Sequence, residues 1–114
     1  MVRSHLLSVP PHEVAVSVIT EDELFYGLAK RGHPQGLSTR VQEFLARVDV
    51  LAWTQSATRV YGDLRTSCEA VGVTLAPMDM MIAAHAKAVG AILVTRDRAF
   101  SHVPDGLVLQ DWKI

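Results

Sequence analysis

Residues 13–19, EVAVSVI, alternate Val14, Val16 and Val18 with Ala15, Ser17 and Ile19, so both faces of an extended segment are apolar or small. A strand of that kind must be covered on both sides, as in a parallel sheet flanked by helices. The rest of the chain repeats the demand. VDVLAW (48–53), AILVT (91–95) and LVLQDW (107–112) read as further short strands, with helical periodicity between them. From Thr20, TEDELFYGLAKR turns helical and runs into the loop RGHPQG. A helix over about 38–47 sets Val41, Phe44, Leu45 and Val48 opposite Arg40, Glu43 and Arg47. Ala57, Val60, Tyr61, Leu64, Cys68 and Val71 recur at helical spacing, with Arg59, Asp63, Arg65 and Glu69 on the other face. Gly62 interrupts that helix at about 1 kcal/mol relative to alanine, which a close helix contact would explain. A last helix, about 78–89, stops at Gly90, and RDRAF is a loop or single turn. Strands alternating with helices define an α/β domain with a mainly parallel sheet.

The 114 residues suit one domain, and 49% hydrophobic with 20% charged residues argues against disorder. The net charge of −1 offers no global basic field, although a local patch can still bind RNA. One cysteine, Cys68, excludes an internal disulfide framework and a cysteine-rich zinc site, and points to a reducing cytoplasm. No apolar run is long enough to span a membrane, and that near the N-terminus is too short for a signal peptide.

The segment APMDMMIAAHA (76–86) carries one carboxylate, Asp79, on an otherwise apolar helix. Burying an unpaired carboxylate is unfavourable, so Asp79 either serves the helix start or holds something positive. In parallel α/β units, helix N-termini and strand carboxyl ends share one edge, where such folds place ligands. Glu23, in the first turn after strand 13–19, is expected at that edge, as are Asp79 at its helix start and Asp97 just past strand 91–95. Each has an ordinary structural explanation. Thr20 and Glu23 form a T-x-x-E capping box, Asp79 favours the helix dipole, and Asp97 suits a turn. Capping, however, does not require three separate segments to converge. Their joint chemistry is oxygen-only metal binding: no histidine pair has i, i+4 spacing, so zinc is disfavoured. A carboxylate cluster suits Mg²⁺ or Mn²⁺, which can polarise a phosphoryl oxygen and activate water.

ITEDELFYGL, PMDMMIAAHAKAVGAILVTRDRAF and the closing LVLQDW resemble, in order and spacing, the VapC-type toxins of the PIN-domain family. The resemblance covers essentially the whole chain. It implies a three-layer α/β/α sandwich around a mainly parallel sheet, and a Mg²⁺- or Mn²⁺-dependent ribonuclease of a toxin–antitoxin pair. Its implied partners are an RNA substrate, a cognate antitoxin and a second copy in a homodimer, with no membrane. The family's acid in I-T-x-x-E-L falls on Glu23, that in P-x-D-x-x-I-A-A on Asp79, and that following V-T-x on Asp97, with Thr95 as the accompanying hydroxyl. These three are the expected metal ligands and catalytic residues.

The family's first strand, which ends in an aspartate within D-T-N or D-T-S, has no counterpart here. The expectation is therefore a single PIN-like domain over 1–114, truncated at its N-terminus, with Met1 an internal or mis-assigned start. Loss of that central strand would leave two strands without a partner and expose their edges. Asp105 and Asp111 lie away from the expected edge and do not replace the missing acid. The alternative function is a catalytically inactive remnant that binds an antitoxin or a second protomer.

Among other residues, His85 is expected to be packed or hydrogen-bonded, and His5, His12, His33 and His102 solvated. Met78, Met80 and Met81 read as core or helix-packing residues, Cys68 as a core thiol, and Trp53 and Trp112 as caps on the sheet ends or platforms that stack a base. Glu21 and Asp22 read as exposed first-turn acids, while Arg96 and Arg98 flank Asp97 in a turn or meet an RNA phosphate.

Overall fold

The computed structural model describes residues 15–91, 93–94, 98–104 and 109–110. In chain order these form β1 (Ala15–Ser17), α1 (Val18–Lys30), α2 (Gln35–Arg47), β2 (Asp49–Leu51), α3 (Gln55–Ala70) and α4 (Pro77–Val89). There follow β3 (Leu93–Val94), a 3-10 turn (Arg98–His102) and β4 (Leu109–Gln110). Both ladders are parallel, as the two-sided apolar strands require. Ala15 pairs with Asp49 and Ser17 with Leu51, while Leu93 pairs with Leu109 and Val94 with Gln110. Packing divides the chain into two compact units, Val2–Ala52 and one running from Trp53 to Ile114.

In the first unit, strand and helix share a residue. Ser17 ends β1 and caps α1, its side-chain oxygen accepting from the Ile19 N–H at 3.0 Å. The expected capping box at Thr20 and Glu23 therefore does not start the helix. A serine in extended backbone satisfies a free N–H before Thr20 can, so α1 begins at Val18. Ile19 and Leu28 are its buried anchors. α1 ends in a Schellman turn, with the His33 N–H donating to the Leu28 carbonyl at 2.8 Å and the Gly32 N–H to Ala29 at 3.1 Å. α2 begins at Gln35, earlier than its spacing suggests, behind Pro34, which offers no side-chain cap. Its apolar face, Leu37, Val41, Phe44 and Leu45, is only half-buried.

In the second unit, Thr54 caps α3 by accepting from the Ala57 N–H at 3.3 Å. Leu64 and Cys68 of α3, Leu75 of the connection, Met80, Ala83 and Ala84 of α4 and Phe100 of the 3-10 turn make one core. Cys68 is the core thiol expected of it, and burial of a leucine such as Leu64 is worth about 1.5–3 kcal/mol. Trp53 packs on this helix core, its ring meeting His85 edge-on and its Nε1–H donating to Thr58 Oγ1 at 3.0 Å. Gly62 also differs from expectation. It is exposed, and a Cβ there would meet nothing within 4 Å, so no close helix contact accounts for it. Gly90 does stop α4, at φ 69°, the left-handed conformation that glycine adopts without strain.

Candidate functional site

α4 brings Asp79 into its first turn. Pro77 opens the helix, where a missing N–H is harmless, and Ala76 caps it without a side-chain hydrogen bond. Asp79 is half-buried, beside the half-buried Met78 and buried Met80. Among the described residues it forms no hydrogen bond and no ion pair. Capping therefore does not explain it. Attraction between its charge and the positive helix end does apply.

Glu23 lies on α1, in its second turn rather than the first, because the helix starts at Val18. It is exposed, as is Asp22, whereas Glu21 is half-buried rather than exposed. Thr95, Arg96 and Asp97 lie outside the described residues, as do Asp105, Asp111, Trp112, His5, His12 and the first strand's Val14. Arg98 opens the 3-10 turn. Glu23 belongs to the first unit and Asp79 to the second, and no three His, Cys, Asp or Glu cluster among the described residues.

His85 is buried, as expected of a packed histidine, while His33 and His102 are exposed. One exposed residue went unremarked in the sequence. Tyr26, 67% exposed, follows Glu23 by one turn of α1, and a carboxylate-x-x-aromatic spacing on a helix is the signal that could have found it.

The second unit also has a cleft of about 140 Å³, lined by Tyr61, Arg65, Glu69, Leu75, Pro77 and Met80. Arg65 donates to the Tyr61 hydroxyl at 3.2 Å and pairs with Glu69 at 3.5 Å. The tyrosine hydroxyl first, then the glutamate, holds the guanidinium above its ordinary pKa. The charges of the cleft answer one another, and Asp79 does not line it.

A family model described as PIN domain matches residues 3–106. The chain is 34% identical to Ribonuclease VapC2 of Rickettsia felis over 100 residues, 87% of this chain and 74% of that protein. It is 35% identical to the tRNA(fMet)-specific endonuclease VapC of Shigella flexneri, across 88% of this chain and 76% of that relative. Its fold matches a chain of the DNA-bound VapBC structure from Salmonella typhimurium with a TM-score of 0.89 at 31% identity, covering 98% of this chain and 84% of that one. The α/β class with parallel pairing, expected from the two-sided strands, is the class of these relatives.

Proposed function

This chain belongs to the PIN-domain family, and from that premise we propose that it is a VapC-type endoribonuclease, the toxin of a toxin–antitoxin pair. The reaction is metal-dependent hydrolysis of an RNA phosphodiester. Its partners are a cognate antitoxin protein and a second copy in a homodimer, and its place of action is the cytoplasm. A family match that runs across both packing units supports one PIN-like domain over 1–114.

The observation that carries the reading is Asp79, a half-buried carboxylate in an apolar helix, with no cap bond and no ion pair among the described residues. Such a group is stabilised by a cation. With Glu23 and Asp97 it makes an oxygen-only donor set, which fits Mg²⁺ or Mn²⁺. When bound, the ion supplies Lewis acidity toward a phosphoryl oxygen and lowers the pKa of water. The chain's own part is to hold the acids close together despite their repulsion. The α4 dipole attracts the Asp79 carboxylate, and the packing of Met80 beside it fixes its helix against the core.

The test is a Mn²⁺ titration by calorimetry on the protein and on Asp79→Asn, with RNA cleavage assayed in Mn²⁺ and in chelator. Heat of binding and metal-dependent cleavage are expected in the parent and lost in the variant, with unchanged far-ultraviolet circular dichroism. A folded parent that neither binds Mn²⁺ nor cuts RNA would rule the reading out.

A further inference from the structure

Tyr26 is the most exposed of the large apolar side chains among the described residues, at 67%. Its helix neighbours three and four residues away are Asp22, Glu23, Ala29 and Lys30, and all four are exposed. Glu23, Tyr26 and Lys30 stand at i, i+3 and i+7, so a carboxylate, an aromatic ring and a cation follow one another along a single stripe of α1. The stripe spans roughly 10 Å along the axis at about 1.5 Å per residue. From that sequence of chemistries we infer that Tyr26 is a substrate-contacting residue that stacks an unpaired RNA base, with Lys30 meeting the neighbouring phosphate.

The inference rests on the ribonuclease reading, in which Glu23 takes part in holding the ion that binds the scissile phosphate. The nucleotide next to that phosphate then passes over the following turn of α1. Every base has a face to stack, so a single exposed tyrosine serves without selecting sequence. The ammonium of Lys30 supplies a positive charge to the backbone one turn further on. A protein-docking role fits the stripe less well, because an apolar partner surface needs apolar neighbours and Tyr26 has charged ones. Phe25, 46% exposed, points around the helix by about 100° from Tyr26 and is not on the stripe. It is therefore a control.

The experiment uses a short single-stranded oligoribonucleotide carrying 2-aminopurine, whose fluorescence is quenched by stacking, with Ca²⁺ as the only divalent ion. Binding is measured for the parent, Tyr26→Phe, Tyr26→Leu, Tyr26→Ala and Phe25→Ala, and cleavage of the same RNA is then measured in Mn²⁺. Tyr26→Ala and Tyr26→Leu are expected to weaken binding by about 10-fold or more and to lose the quenching. Tyr26→Phe keeps both, Phe25→Ala changes neither, and in Mn²⁺ the loss falls on KM rather than kcat. Unchanged binding and KM in Tyr26→Ala would overturn the inference, as would a leucine variant that binds like the parent. So would a Tyr26→Ala variant that loses only its affinity for the antitoxin, since the residue would then face a protein. The ribonuclease reading fails on a different readout: Glu23→Gln and Asp79→Asn that cut RNA as fast as the parent in Mn²⁺. The Ca²⁺ binding series reports on Tyr26 whatever that result.

Discussion

The Trp53 indole meets the His85 imidazole edge-on, with ring centroids 5.4 Å apart and planes inclined at 73°. The contact joins the entry of α3 to the middle of α4, and it places a polar ring, 2% exposed, beside the core of the second unit. Edge-to-face pairs are worth about 0.5–1.5 kcal/mol beyond the area they bury. A double-mutant cycle on Trp53→Leu and His85→Leu, read by urea unfolding, is expected to give a coupling energy in that range. Strict additivity of the two substitutions would show that the rings merely share a neighbourhood.

Two glycines in helical surroundings are expected to respond oppositely to alanine. Gly62 sits exposed inside α3 with open space around it, so Gly62→Ala should stabilise the protein by about 0.5–1 kcal/mol. Gly90 has equal space but lies at φ 69°, so Gly90→Ala should destabilise it by about 1–2 kcal/mol. Thermal unfolding of the two variants decides the matter, and a shift of the same sign in both would contradict it.

Thr54 is the side-chain cap of α3. Thr54→Ala should cost about 1 kcal/mol, while Thr54→Ser, which keeps the acceptor oxygen, should stay close to the parent. Denaturant midpoints of the three proteins are the readout, and equal losses in both variants would assign the effect to the methyl group instead.

Asp79→Asn separates stability from chemistry. In metal-free protein, loss of the charge at the α4 N-terminus removes a dipole interaction of about 0.3–1 kcal/mol. Cleavage of RNA in Mn²⁺ should nevertheless fall by about 100-fold or more, because an ion's stabilisation of the transition state is several kcal/mol. A drop in cleavage that merely tracks the drop in stability would make Asp79 a helix residue and nothing else.

What the sequence made legible follows the range of the interactions involved. Gly90 was readable as the stop of α4 because a left-handed residue after a helix is a local requirement. The apolar faces of strand 13–19 announced parallel pairing, since two covered faces leave few alternatives. The start of α1 was misread, because Ser17 and Thr20 are both good caps and only the strand register selects between them. Gly62 was misread in the other direction: an unfavourable residue suggested a compensating contact, and the helix simply bears its cost. For Asp79, the spacing gave its place in the first turn, but not that the cap bond goes unmade. Tyr26 was legible only by its distance from Glu23, and its exposure depends on what α1 leaves uncovered.

The parallel ladder of the first unit has a consequence for the order of assembly. Ala15 can pair with Asp49 only after both α1 and α2 have been accommodated between them, a closure over a long intervening chain. The α3–α4 hairpin closes over the short connection from Val71 to Ala76 and buries Leu64, Cys68 and Met80 at once. Local closures are fast and distant ones slow, so the hairpin is the element expected to form first. In pulse-labelling hydrogen exchange, the amides of α3 and α4 should gain protection before those of β1 and β2. During synthesis β1 therefore waits unpaired while α1 and α2 are made, and its partner β2 follows directly behind them, before α3 and α4.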